Sequence, residues 1–260
     1  MKKRLDVILY EKGLTESREK ARSLIMTGNV LVNNKVITKC GMKIDEANEI
    51  RLKKSMKYVG RGALKLIKAL DEFKINPEGK ICADIGASTG GFTQVLLERG
   101  AKLVYSIDVG TNQLAYKLRT HERVKVMEQT NAKDLKREMF DPLPELVVID
   151  VSFISLTSVL LPVVDILNEK KIICLVKPQF EVGRDIPGFK GVVKENIYRL
   201  KALEKIFEFI TENSSLKVTA ATYSPITGPK GNVEFFLYLT EAGNTVYFNE
   251  IVEAAGRELE

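Results

Sequence analysis

Asp84-Ile85-Gly86-Ala87-Ser88-Thr89-Gly90-Gly91-Phe92-Thr93 is the stretch on which the reading of the fold turns. It closes the apolar run 81–85 and opens a helix-type stretch. Glycines let a chain leave a strand sharply and bring its backbone against a ligand. The helix behind them offers free N–H groups. The spacing is not G-x-G-x-x-G, since Gly86 is followed by Gly90 and Gly91, and no Gly-Lys-Ser/Thr marks a P-loop. Nicotinamide and ATP readings are weakened accordingly. Asp108 ends the next strand-like run, where an acid can hydrogen-bond both hydroxyls of a ribose. The pattern points to an adenosine compound without a pyrophosphate.

Outward from this turn, strand-like runs recur at 81–85, 103–107, 124–127, 146–149, 172–176, 217–223 and 233–239. Helix-type stretches at 91–99, 111–119 and 155–168, with a short turn near 133–138, separate the first five. A longer helix at 193–212 precedes the sixth, and 62–73 reads as a helix with Leu66, Ala69, Leu70 and Phe73 inward. Alternating βα units predict an α/β, Rossmann-like domain with a mostly parallel sheet of seven strands and helices on both faces. The last two runs are joined by turn residues (Ser224-Pro225, then Gly228-Pro229-Lys230-Gly231) and no helix. They are expected to pair antiparallel at one edge, which makes one strand of the seven antiparallel.

The chain has 260 residues, 45% of them hydrophobic, enough for one large domain or two unequal ones. Net charge is +6, but residues 1–60 hold 14 Lys/Arg against 7 Asp/Glu, so the remainder is net −1. A basic small unit joined to a neutral large one suggests a tethered nucleic-acid binder, against a plain solvated basic surface. Cys40, Cys82 and Cys174 are odd in number and far apart, which excludes a disulfide scaffold, and no CxxC pair suggests a metal site. No stretch approaches the ~20 apolar residues of a membrane span, and the N-terminus lacks the pattern of a signal peptide. A cytoplasmic protein with reduced thiols and no stable membrane insertion is expected. Nothing in the sequence sets an oligomeric state.

Within the small unit, Leu5, Ile8 and Leu9 fit one helix face. Thr15 is expected to N-cap a second helix, with Ala21, Leu24 and Ile25 inward and Gly28 as its stop. Two strand-like runs within 30–37 then flank an Asn33-Asn34 turn, and 49–52 closes a small sheet. Arg4-Leu-Asp, Gly13-Leu, Ser17-Arg18-Glu-Lys-Ala21 and Gly28-Asn-Val-Leu-Val-Asn33 resemble the S4 RNA-binding domain. The resemblance implies a small α+β domain over 1–58, with a linker at 53–60, and phosphate contacts from Arg4, Arg18, Lys20 and Arg22. The bland alternative pairs Arg18 and Arg22 with Glu19 or Glu11. The large domain then spans 59–260.

An acid at the first strand end, a glycine-rich turn and an acid at the second strand end resemble the S-adenosylmethionine-dependent methyltransferases. That resemblance implies S-adenosylmethionine contacts from Asp84, Gly86, Ser88, Thr89, Gly90, Gly91 and Phe92, near the methionine end for Asp84. It further implies Asp108 at the ribose, Asn131 and Ala132 at the adenine, and Asp150. Against these stand ordinary cap and loop roles for Asp108 and Asn131.

Four segments add chemistry: Arg61-Gly-Ala-Leu-Lys65, Asp150-Val-Ser-Phe-Ile-Ser, Lys177-Pro-Gln-Phe-Glu181 and Gly231-Asn-Val-Glu234. They resemble the Lys-Asp-Lys-Glu tetrad of FtsJ-type RNA ribose 2′-O-methyltransferases. With the S4-like start, the match is closest to the TlyA, or haemolysin A, family, whose members methylate a cytidine 2′-oxygen in ribosomal RNA. The resemblance implies catalytic roles for Lys65, Asp150, Lys177 and Glu234, and ribosomal RNA or ribosomal subunits as partners. The chemistry is consistent, because a ribose hydroxyl needs a base, and a lysine can serve where a second cation and burial favour its neutral form. Lys177 is expected to be that base or to hold the alkoxide, with Lys65 as the nearby cation and the two acids orienting the ammonium groups. The loop 181–192 either closes over substrate or merely connects. His121 reads as a loop residue, and no G-x-S-x-G elbow supports a hydrolase. A non-enzymatic ribosome-assembly factor and a membrane-lytic haemolysin remain as rival readings.

Overall fold

A computed structural model of the chain describes residues 2–52, 57–167, 170–243 and 246–259. The chain divides into two compact units, Met1–Lys57 and Tyr58–Glu260.

In the first unit, β1 (Lys2–Arg4) leads into α1 (Leu5–Glu11), and α2 (Arg18–Met26) packs against α1. Leu5, Ile8, Leu9, Ala21 and Ile25 form its core with Val30, Val32 and Ile44. The N-cap of α2 is Ser17, whose hydroxyl accepts from the Lys20 N–H at 3.1 Å, and not Thr15, which is buried. Ser17 wins because it is the extended residue directly before the helix, with φ −155°. Gly28 takes the left-handed conformation that ends the helix, with φ +68°. Asn33 and Asn34, both at positive φ, make the tight turn between β2 (Val30–Val32) and β3 (Lys35–Val36). Further along, β4 (Lys43–Asp45) pairs with β1, and β5 (Ile50–Leu52) pairs with the other edge of β2. Of the linker expected at 53–60, residues 53–56 lie outside the described ones. Val59 already belongs to the second unit, where its N–H donates to the Gln94 side chain at 2.9 Å.

The second unit begins with α3 (Gly62–Glu72), β6 (Ile81–Ile85), α4 (Gly91–Glu98) and β7 (Leu103–Ile107). There follow α5 (Tyr116–Arg119), β8 (Val124–Met127), β9 (Leu146–Ile149), α6 (Leu160–Ile166), β10 (Ile172–Val176) and α7 (Pro178–Glu181). The unit closes with α8 (Asn196–Asn213), β11 (Lys217–Tyr223), β12 (Phe235–Thr240) and α9 (Phe248–Leu259). The seven strands run in the order β11-β12-β10-β9-β6-β7-β8. All pairings from β10 to β8 are parallel, and β12 is antiparallel to both of its neighbours, as the missing helix between the last two runs predicts. β9 and β10 are wholly apolar because helices cover both faces, while β6 carries one buried acid, Asp84. Ala83, Ile85, Val147 and Ile149 point into one core, and Cys82, Leu146 and Val148 into the other.

Three elements differ from expectation for local reasons. The helix predicted over 111–119 shrinks to α5, because the N–H groups of Asn112, Gln113 and Leu114 donate to the Glu128 carboxylate instead of to helix carbonyls. The helix predicted over 155–168 divides into a 3₁₀ turn, Leu156–Ser158, and α6, because Pro162 has no N–H for the Ser158 carbonyl. The last strand starts at Phe235, two residues late, since Asn232 is bonded to the 191–193 backbone and to Gly228 instead of to a strand. The C-terminal helix α9, not expected from the pattern, buries Val252 and Ala255 against α8 and β11. No described helix is long and apolar enough to cross a membrane.

Candidate active site

Strand order reverses between β6 and β9, and the C-terminal ends of these strands open a crevice there. The turn after β6 is anchored by the Gly86 and Ala87 N–H groups, which both donate to the Ile107 carbonyl, at 2.9 and 3.0 Å. Gly86 stands at φ +84°, and a Cβ there would overlap the backbone of Asp150. The residue therefore has to be glycine twice over, for its dihedral and for the approach of the two strand ends. Gly90, at φ +94°, packs against Leu114 and Leu118, so it shapes the turn without lining the crevice.

Asp84 is completely buried beneath this turn and lines neither cavity described below. The Thr93 N–H and hydroxyl both donate to its Oδ2, at 2.8 and 2.6 Å, and the Thr93 hydroxyl also meets Ser106. Burial pushes its pKa up to about 7, against the lowering effect of the Thr93 bonds and with smaller upward contributions from Asp150 and Asp108. Its place is under the turn, where it ties α4 to β6.

A cavity of about 450 Å³ lies on one side of the turn, walled by Gly86, Ser88, Asp108, Asn131, Ala132 and Asp150 among others. Asp108 accepts from the Ser88 N–H at 2.8 Å and from the Gly110 N–H at 2.7 Å, one bond to each oxygen. Lone pairs remain on both oxygens for two hydroxyls. Asn131 accepts from the Lys133 N–H through Oδ1, which leaves its amide donors for a ligand. Val109 and Gln113 complete the wall, on the loop that Glu128 holds. The Glu128 carboxyl is drawn below its ordinary value, first by the Asn112 N–H and then by the Arg119 guanidinium paired with it. Sequence reasoning missed Glu128. Its only signal was an acid at the end of the third strand. Phe153 stands at the rim, 90% exposed and at φ +66°.

A second cavity, about 380 Å³, is walled by Gly60, Arg61, Lys65, Thr89, Gly91, Phe92 and Gly228 and shares Gly86, Ser88 and Asp150 with the first. Of the tetrad, Lys65 and Asp150 line this cavity, and each is joined to its partner, Glu234 or Lys177, as an ion pair behind the wall. Lys177 Nζ lies 2.6 Å from Asp150 Oδ1 and donates to Ser152 Oγ at 2.8 Å. Lys65 Nζ donates to Glu234 Oε2 at 2.5 Å. Both lysines are more than nine-tenths buried, and Glu234 is fully so. Each expected cation thus has its own carboxylate. Glu234 Oε1 and Asp84 Oδ1 have no hydrogen-bond partner among the described residues. Ser152 was also unmarked in the sequence.

In the first unit, Arg4 forks onto Asp6 through Nε and Nη2, at 2.9 and 3.1 Å, and Arg18 reaches the same carboxylate at 3.4 Å. Arg18 therefore pairs with buried Asp6, not with Glu19 or Glu11. The Asp6 carboxyl is held below its ordinary value, mainly by Arg4. Lys20 and Arg22 are exposed on α2, and neither forms an ion pair with a described residue.

A strand order of this kind, with its antiparallel seventh strand and a glycine turn at the switch point, defines a methyltransferase of Rossmann-like architecture. The family model of FtsJ-like methyltransferases matches residues 58–241, and the S4 domain model matches residues 3–50. The chain belongs to the FtsJ-like methyltransferase family, with an S4 domain at its N-terminus. It is 45% identical to Hemolysin A of Brachyspira hyodysenteriae over 90% of this chain and 98% of that one. It is 41% identical to the 16S/23S rRNA (cytidine-2′-O)-methyltransferase TlyA of Mycobacterium tuberculosis, over 91% of this chain and 89% of that one. A solved structure from Streptococcus thermophilus, provisionally named a hemolysin, superposes with a TM-score of 0.75 at 43% identity, covering 99% of this chain and 96% of that one.

Proposed function

We propose that this protein transfers a methyl group from S-adenosylmethionine to the 2′-oxygen of a ribose, at a cytidine of ribosomal RNA. The observation that carries the reading is the pair of buried ion pairs, Lys177–Asp150 and Lys65–Glu234, beside the glycine turn, with Asp150 in the wall of both cavities and Lys65 in that of the smaller. The larger cavity suits the cofactor: its volume lies within the roughly 300–1,000 Å³ of small-molecule sites, and Asp108 and Asn131 hold unspent bonding capacity in its wall. When bound, S-adenosylmethionine supplies an electrophilic methyl on its sulfonium. Asp108 would hold the ribose hydroxyls, and Asn131 with Ala132 the adenine.

The smaller cavity then admits the acceptor ribose. Its hydroxyl is a weak nucleophile until its proton is withdrawn. Lys177 acts at that oxygen: its Nζ takes the proton when neutral and steadies the developing alkoxide when charged. Asp150 and Ser152 fix the direction of that Nζ. Glu234 fixes Lys65, whose charge stabilises negative charge on the acceptor oxygen. The S4 domain docks the RNA through Arg4, Arg18, Lys20 and Arg22, the first two ordered in advance by Asp6. Ribosomal subunits in the cytoplasm are the partners in this reading.

The test is incubation with radiolabelled S-adenosylmethionine and unmodified bacterial ribosomal subunits or their naked RNA, with the label mapped by nuclease digestion. Label on a cytidine 2′-oxygen is the expected result. Cofactor binding with no label on any RNA form would overturn the reading in favour of a non-enzymatic RNA-binding assembly factor.

A further inference from the structure

Asn232 is 2% exposed and lines neither cavity. It spends its bonds on a neighbouring loop. Its Oδ1 accepts from the Val193 N–H at 3.0 Å, and its Nδ2 donates to the Gly191 carbonyl at 2.8 Å. The Val193 carbonyl is gripped from the other side by buried Arg199, through Nε at 3.3 Å and Nη2 at 3.1 Å. The backbone carbonyl of Asn232 meanwhile accepts from the Gly228 N–H at 2.8 Å. Asn232 therefore joins two segments, the end of the 183–193 loop and the 224–234 turn.

The second of these segments carries the reaction centre. Its base is closed by the Ser224 N–H, which donates to the Glu234 carbonyl at 2.8 Å. Gly228 lies so close to the Glu234 carboxylate that a Cβ there would overlap it. The Glu234 side chain thus has the turn's backbone on one side and the Lys65 ammonium on the other. Oε1 has no hydrogen bond of its own among the described residues, so its position is set by packing against Gly228. Anything that shifts Gly228 shifts Glu234, and with it Lys65.

We propose that Asn232 is a positioning residue for the Lys65–Glu234 pair, fixing the 228–234 turn to the 191–193 backbone so that the two hold as one unit. The proposal rests on the methyl-transfer reading for its catalytic consequence, while the mechanical coupling stands apart from it. A buried amide with both ends bonded fixes a backbone more firmly than an apolar filler, because losing it leaves the Val193 N–H and Gly191 carbonyl unpaired. A displaced catalytic group costs far more in turnover than in ground-state binding.

Two measurements on the full chain decide it. Hydrogen exchange should show that Asn232→Ala lowers protection at both Val193 and Gly228, 35 residues apart in sequence. Loss at Val193 alone, with Gly228 unchanged, would overturn the coupling whether or not any RNA is methylated. In the methylation assay, Asn232→Ala should lower kcat by on the order of 10-fold or more, with the cofactor Kd within about 3-fold of the parent. Combined with Glu234→Gln, the substitution should cost little beyond Glu234→Gln alone, because both act through one carboxylate. Additive losses would mark Asn232 as merely structural and overturn the proposal. Gly191→Ala leaves the Asn232 side chain in place but strains the left-handed backbone, φ +92°, whose carbonyl that side chain binds, and should reproduce the kcat loss in milder form; an unchanged kcat there counts against the proposal. A wild-type protein that methylates nothing would fell the methyl-transfer reading, and the exchange experiment would still decide the coupling.

Discussion

Asp84→Asn offers a quantitative test of how the glycine turn is anchored. The carboxyl is fully buried and its pKa is raised from 3.8 to about 7, chiefly by burial. The folded protein therefore binds a proton at Asp84 between pH 4 and 7 that the unfolded chain has released. Stability must then fall as pH rises through that window. Three pH units at ~1.36 kcal/mol each give a loss of about 4 kcal/mol from this one group, complete above pH 7. Asparagine keeps an oxygen for the Thr93 N–H and hydroxyl and has no charge to desolvate. The difference in unfolding free energy, variant minus parent, should be flat below about pH 4 and climb toward about 4 kcal/mol by pH 8. Urea unfolding of the large unit, followed by circular dichroism at half-unit steps from pH 4 to 8, measures it. A difference that stays level across the range would refute the claim that burial keeps Asp84 protonated up to about pH 7.

Lys177→Ala and Lys65→Ala should each abolish methyl transfer to RNA while cofactor affinity, read by calorimetry, stays within a few-fold; turnover retained in both would sink the tetrad assignment. Glu128→Gln weakens three N–H bonds to the 112–114 loop, so the cofactor Kd should rise several-fold with kcat at saturation little changed. Lys20→Gln and Arg22→Gln should each weaken RNA binding uniformly and reduce the slope of log K against log salt by about one contact. An unchanged slope would place α2 away from the RNA.

The α/β architecture, seven strands and the antiparallel seventh were legible in the sequence because their signals are local. Parallel strands covered on both faces are nearly continuous in apolar residues, and the turn that replaces a helix before β12 is written in Pro and Gly. Gly86 was legible for the same reason, since its left-handed backbone admits little else. Lys65, Asp150, Lys177 and Glu234 could be picked out as chemical types in distinctive segments, but their partners could not. That Lys65 takes Glu234 and Lys177 takes Asp150 is set by the sheet, which brings residues 169 apart in sequence into contact. The same holds for errors of assignment. Thr15 and Ser17 are both competent caps by type, and only the chain's path into α2 chose Ser17. Residues 111–115 have helix-compatible composition, yet Glu128 captures their N–H groups from a strand away. What the sequence determined by itself was each element's local preference, through periodicity and backbone sterics. What only the tertiary structure decided was which polar groups meet, because buried donors and charges must find partners wherever the fold places them.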